Sequence, residues 1–90
     1  MTADQIMTEI TQILQKDFEI EGSKLRPEAL LREDLGIDSL DAVDLIVAIE
    51  RRFGQRLEES EAMAIRTVGD IRACIERKVA VGTGVPGGAP

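Results

Sequence analysis

Apolar residues recur at helical spacing in several stretches of the chain. The first stretch follows Thr2-Ala3-Asp4-Gln5, a segment typical of a helix capping box, and predicts a helix over residues 3–17. Its apolar residues recur at helical spacing: Ile6, Ile10, Ile13, Leu14 and Phe18.

A second stretch predicts a helix over residues 39–53. Asp38 precedes it as a candidate N-cap, with the acid Asp41 at the third helical position. Gly54 follows it and suits a left-handed C-terminal cap. This predicted helix, helix two, is therefore bounded by an N-terminal and a C-terminal capping residue.

Two further helices follow. Residues 58–65 predict a short third helix with acids in its first turn, where the helix dipole favours them. Thr67 then begins a capped last helix, in which one face is apolar. The residues of that face are Val68, Ile71, Ile75 and Val79.

Residues 19–38 lack this periodicity and contain the helix breakers Gly22, Ser23 and Pro27, yet they are too apolar for a free linker. We expect a long loop pinned to the core, with a short helical turn around residues 27–31. The fold class predicted is all-α: a four-helix bundle of three longer helices and one short helix, with the long loop between helices one and two.

The chain has 90 residues, of which 43% are hydrophobic, enough for one small domain over residues 1–80. Residues 81–90 are rich in Gly and Pro and are expected to form a disordered tail. Only 2% of the residues are aromatic, so the predicted core is aliphatic and easily deformed.

The net charge of −6 disfavours nucleic acids and anionic membranes and favours basic protein partners. With one cysteine and no long apolar run, we expect a cytoplasmic monomer that is not inserted in a membrane. The chain has no histidine, which removes most catalytic triads and transition-metal sites. The chain alone is therefore not expected to be an enzyme.

Helix two has two apolar faces at about 100° per residue. The wider face predicts a core stripe of Ala42, Leu45, Ile46, Ile49 and Phe53. The narrower face carries Leu40, Val43 and Val47, flanked by Asp44 and Glu50. Either the long loop covers this second face, or the face is a partner-docking surface with an acidic rim.

Charge favours the docking interpretation. From Glu33 to Glu50 the chain has six acids and no base, whereas residues 63–90 carry four bases and two acids. The acids surround Ser39, and their field would attract a basic partner to that residue.

Ser39 alone allows several interpretations. It could be an ordinary residue of a helix start. A self-activated nucleophile is disfavoured, because there is no histidine, and Lys24, the lysine nearest in sequence, lies in the loop. The surrounding acids lack the spacing of a calcium loop, so no metal site is predicted, and Cys74 is expected to be a buried small hydrophobe.

One stretch of the chain resembles the acyl carrier proteins of fatty acid and polyketide synthesis. It reads Asp34-Leu35-Gly36-Ile37-Asp38-Ser39-Leu40-Asp41, then Val43-Asp44-Leu45 and Ile49-Glu50-Arg51-Arg52-Phe53, within a likeness that spans about residues 3–79. The resemblance implies that a phosphopantetheinyl transferase attaches 4′-phosphopantetheine from coenzyme A to Ser39. The thiol of that arm would carry acyl groups as thioesters.

The resemblance also implies partners, namely acyl-transferring and chain-extending enzymes with basic docking patches. The residues expected to contact them are Asp38, Leu40, Asp41, Val43, Asp44, Val47 and Glu50. Where the family often continues with acids, this chain has Arg51, Arg52 and Arg56, which favours a dedicated carrier for a specialised pathway.

Two alternatives stay open on the sequence. One is a small helical interaction or regulatory module in which Ser39 is a helix cap or a phosphorylation site. The other is a peptidyl or aminoacyl carrier, although Asp38 before the serine and the acid-rich helix favour acyl cargo.

Overall fold

The computed structural model describes residues 2–80, which form four α-helices. These are α1 (Ala3–Asp17), α2 (Ser39–Phe53), α3 (Glu59–Ala64) and α4 (Val68–Ile75). A 3-10 turn at Gly22–Lys24 lies in the long loop, and a π-helical turn at Glu76–Ala80 continues α4. The all-α fold and its four helices are confirmed, while the tail predicted for residues 81–90 lies outside the described residues.

Helix α1 begins with the predicted capping box. The backbone N–H of Gln5 donates to Thr2 Oγ1 at 3.1 Å, and the backbone N–H of Thr2 donates to Gln5 Oε1 at 2.8 Å. The helix packs against both α2 and α4 through its buried face, so it forms the centre of the bundle. That face consists of Ile6, Ile10, Ile13 and Leu14.

The core is aliphatic, as the composition predicts. Its buried side chains come from α1, α2, α4, the long loop and the α2–α3 connection, and no polar or charged residue among those described is buried. Cys74 is one of these buried residues, as expected, and burial raises the pKa of its thiol. The thiol is therefore a neutral part of the core.

None of the side chains of α3 is fully buried, and polar contacts help to attach this helix. The backbone N–H of Glu58 donates to Glu61 Oε1 at 2.9 Å, and Lys78 Nζ lies 2.9 Å from the same oxygen. These two contacts lower the pKa of the Glu61 carboxyl, and the carboxylate raises the pKa of Lys78. The ion pair links α3 to the turn that follows α4.

The long loop is pinned to the core through the start of α4. The backbone N–H of Leu31 donates to the carbonyl of Arg66 at 2.9 Å, and that of Gly69 donates to the carbonyl of Pro27 at 2.8 Å. A Cβ on Gly69 would lie 3.0 Å from the Pro27 oxygen, so only glycine allows this approach without a shift. The pinned loop is confirmed.

The helical turn expected around residues 27–31 was wrong, since the loop's helical turn lies at Gly22–Lys24. The physical reason is competition for backbone groups. Pro27 has no N–H to donate, and the carbonyls of Pro27 and Ala29 accept hydrogen bonds from the first residues of α4. The carbonyls of Pro27 and Ala29 are therefore hydrogen-bonded to α4, while the carbonyl of Leu30 accepts the N–H of Asp34 in the turn that follows.

Candidate functional site

Ser39 is the first residue of α2. The preceding residue, Asp38, is the N-cap, and its Oδ1 accepts the backbone N–H of Asp41 at 2.9 Å. The Ser39 side chain is exposed at the positive end of the helix dipole, where a phosphate group is favoured. The predicted helix start is confirmed, and the hydroxyl is accessible to an enzyme.

The turn before Ser39 places it at the surface. Gly36 has a φ of 72°, a left-handed conformation that glycine adopts without strain. Ile37 is buried, and its backbone N–H donates to the carbonyl of Leu31 at 2.9 Å. Because Ile37 anchors the chain in the core, the next two residues emerge into solvent at a fixed position.

A cleft of about 390 Å³ lies beside Ser39, between the long loop, the start of α2 and the segment after α3. Its lining combines apolar residues with two arginines, Arg32 and Arg66. Such a lining can bind a phosphate and an adjoining aliphatic chain. The full lining is Leu30, Leu31, Arg32, Glu33, Ile37, Asp38, Ser39, Ala42, Ile65 and Arg66.

Sequence analysis missed Arg32 and Arg66 as residues of the site. They are far apart in the chain and meet because Leu30 and Thr67 form an antiparallel bridge between the loop and the start of α4. No periodicity or motif signals that pairing, although Arg32 does lie just before the acidic stretch.

The second apolar face of α2 is exposed. Leu40 is 78% exposed, Val43 62% and Val47 42%, so the long loop does not cover them. We call these three residues the α2 strip. On the opposite face, the predicted core stripe is confirmed: Leu45 and Ile49 are fully buried, and Ala42, Ile46 and Phe53 are partly buried against the core.

Met63 on α3 is also exposed, at 74%, and sequence analysis did not single it out. A helix of six residues is too short for its apolar face to be recognised by periodicity. Together with the α2 strip, it makes four large hydrophobic side chains that are exposed in the described part of the chain.

The acids along α2 differ in their surroundings. Asp38 and Asp44 are exposed and Asp41 is half-buried, whereas the Glu50 carboxylate is already engaged. Glu50 Oε2 accepts the backbone N–H of Leu57 at 2.8 Å, which holds the connection from α2 to α3. Contact of Glu50 with a partner protein stays a prediction.

The two arginines at the far end of α2 differ as well. Arg52 forms an ion pair with Glu9 of α1 and also donates to Gln12, so it belongs to the packing of α1 on α2. Arg51 is exposed and takes part in no salt bridge within residues 2–80.

Within the described range, no group of three or more Cys, Asp or Glu side chains could hold a metal ion. None of the helices found there combines the length and the apolarity that crossing a membrane requires.

Comparison with known proteins identifies the family of this site. Residues 8–75 match the family described as "Phosphopantetheine attachment site". The chain is 38% identical over 80 residues to "Acyl carrier protein 2" of Ralstonia nicotianae, covering 89% of this chain and 99% of that protein. An "Acyl carrier protein" of Thermosynechococcus vestitus matches to the same extent, with 38% identity over 80 residues, 89% of this chain and 99% of that protein. A third, from Saccharopolyspora erythraea, is 42% identical over 71 residues, 79% of this chain and 75% of that protein.

Proposed function

This chain belongs to the acyl carrier protein family, whose members carry covalent 4′-phosphopantetheine, and we propose that Ser39 is the attachment residue. The observation that carries this proposal is the exposed Ser39 hydroxyl at the capped start of α2. It lies inside the matched region, in the stretch that resembles the family's attachment motif.

The cleft beside Ser39 supports the proposal because its chemistry fits the group. Arg32 and Arg66 would face the phosphodiester and offset the charge of the neighbouring acids, while Leu30 and Ile65 would contact the aliphatic arm. The arm, when attached, supplies a thiol that holds acyl groups as thioesters.

The chain has no group to activate Ser39, so a phosphopantetheinyl transferase would supply the base. A bond forms between Ser39 Oγ and the phosphorus of the pantetheine phosphate as the diphosphate bond of coenzyme A breaks. Adenosine 3′,5′-bisphosphate leaves, and the hydroxyl proton passes to the transferase. The carrier contributes an accessible hydroxyl and a surface for the enzyme.

The proposal extends to the partner enzymes and the pathway. Asp38, Asp41 and Asp44, and Glu50 at the margin, would attract basic patches, while the α2 strip supplies the apolar contact. The arginines that begin at Arg51 support a dedicated carrier in a specialised pathway. Equal turnover with a housekeeping carrier, in assays with primary fatty acid synthase enzymes, would contradict that specialisation.

Intact mass spectrometry tests the attachment site. We expect the chain to gain the mass of one phosphopantetheine group after incubation with coenzyme A and a phosphopantetheinyl transferase. Ser39→Ala should abolish the gain, because alanine has no nucleophilic oxygen. Ser60→Ala is the matched control, since Ser60 is also an exposed serine in the first turn of a helix.

A gain that persists in Ser39→Ala would show that another residue is modified. Absence of any gain in the wild-type chain would favour the regulatory alternative, in which Ser39 is a phosphorylation site. That alternative would then be tested by the mass of the protein isolated from its native cell.

A further inference from the structure

We propose that the exposed face of α2 docks a partner protein surface of mixed charge, basic opposite Asp44 and acidic opposite Arg51. This inference rests on the proposed function for the existence of partners and adds the chemistry by which they are selected. Arg51 is accordingly a specificity-determining residue: it favours partners that present an acid at the far end of α2 and repels partners that are basic throughout.

The periodicity of α2 places the charges of Asp44 and Arg51 on the same side of the helix as Leu40 and Val47. At about 100° per residue, Leu40, Asp44, Val47 and Arg51 fall within a sector of about 60°. Asp44 and Arg51 are seven positions apart, which is about 10.5 Å along the axis. A partner that contacts Val47 must therefore meet an acid on one side of it and a base on the other.

The two arginines of this helix end have separate roles. Arg52 contacts Glu9 and Gln12 of α1 and links α2 to α1 at the surface of the bundle. Arg51 is exposed, and no acid within residues 2–80 forms a salt bridge with it. Its charge is therefore available to another molecule.

Complementing the helix dipole would also explain a base in the last turn of α2. Lys16 provides the comparison, because it is an exposed base in the last turn of α1. Lys16 has the same relation to its helix end, but it lies on α1 and is not part of the α2 face. Reversal of either charge places an acid in the last turn of a helix, and only reversal of Arg51 changes a residue of the α2 face.

Charge balance favours a different protein over a second copy of this chain. An antiparallel copy would place Arg51 against Asp44 twice, but Asp41 of each copy would then lie opposite Gly54, past the end of α2, with no base facing it. Each chain also carries a net charge of −6, so two copies repel each other. A mainly basic surface with one acidic end matches the face better.

Two synthetic peptides test the proposal with the full 90-residue chain. Both are amphipathic helices with the same leucine face; one is basic at both ends, and the other is basic at one end and glutamate-rich at the other. Binding is measured by fluorescence anisotropy at low ionic strength for the wild type, Arg51→Glu and Lys16→Glu. The readout is the ratio of the two affinities, because the net charge of −6 favours the more basic peptide whatever the docking geometry.

We expect Arg51→Glu to shift this ratio roughly fivefold toward the uniformly basic peptide, since one attraction becomes a repulsion. Lys16→Glu should leave the ratio within about twofold of the wild type. The shift should disappear at high salt, because contacts between exposed charges are screened.

Equal shifts for the two variants, no shift for Arg51→Glu, or no binding of either peptide at about 1 mM would each overturn the proposal. So would a dimer in sedimentation that Arg51→Glu dissociates, because the occupant would then be a second copy. The assay uses the unmodified chain, so its outcome is independent of whether Ser39 accepts phosphopantetheine.

Discussion

Acids that look equivalent in the sequence have different roles at the scale of single residues. Asp38 caps α2, and Asp34 Oδ2 accepts the backbone N–H of Leu30 at 2.8 Å inside the long loop. Glu50 holds the backbone of Leu57, while Asp44 remains exposed. The acidic stretch around Ser39 therefore contributes to folding as well as to the surface potential.

Glu50→Ala should lower the free energy of unfolding by about 1 kcal/mol, because the partly buried N–H of Leu57 loses its acceptor. Chemical denaturation gives the stability, and amide hydrogen exchange at Leu57 should accelerate in the variant. Asp44→Ala is the matched control, expected to change stability by less than about 0.5 kcal/mol. Equal losses in the two variants would contradict a structural role specific to Glu50.

At the scale of elements, α2 serves two surfaces with one helix. Leu45 and Ile49 close the core, and the α2 strip faces solvent. Residues three and four positions apart share a helix face, whereas residues one or two positions apart lie on different faces. Substitutions at neighbouring positions of α2 therefore affect different surfaces, one the core and the other the α2 strip.

Val47→Arg should leave the fold nearly intact yet slow the modification of Ser39 by a phosphopantetheinyl transferase. The added base would repel a basic docking patch, with a loss of about tenfold in kcat/KM. Ile49→Ala is the contrasting variant, since truncation of a fully buried side chain should cost about 2–5 kcal/mol. A large fall in the melting temperature of Val47→Arg would show that the α2 strip is part of the core.

At the scale of the whole molecule, two carboxylates outside the hydrophobic core stabilise the segments around α4. Glu61 joins α3 to Lys78 beyond α4. Asp70 Oδ2 accepts the backbone N–H groups of Arg66 and Thr67 at 3.0 and 3.1 Å, where the long loop meets α4. The hydrogen bond from Arg66 is the main cause that lowers the pKa of Asp70.

The pKa values of the Glu61 and Asp70 carboxyls are lower in the folded chain than in the unfolded chain. The stability that these two carboxylates contribute is therefore present above the unfolded pKa, and it is lost as the pH falls through the folded pKa. The loss should begin near the ordinary values of about 4. Asp70→Asn should destabilise the protein by about 1 kcal/mol at pH 7 and by much less at pH 2, measured by denaturation at each pH. Asp4→Asn, in the first turn of α1, is the control. An Asp70→Asn effect that is independent of pH would contradict the role of its charge.

Local sequence determines most of this architecture. The boundaries of α1 and α2 follow from caps and apolar periodicity, both of which act within one or two helical turns. The same periodicity identified the α2 strip and placed Ser39 at a helix start. These features need no knowledge of what the helix packs against, so the sequence alone was sufficient for them.

Other features depend on which distant segments meet. The bridge between Leu30 and Thr67 brings Arg32 and Arg66 to one cleft, and the carboxylate of Glu50 reaches Leu57 only because the chain turns back after α2. Backbone hydrogen bonds between remote residues leave no period or spacing in the sequence, since every residue other than proline offers the same N–H and C=O. The tertiary structure therefore decided which charges lie beside Ser39, which arginine of α2 is committed to packing, and which is left for a partner.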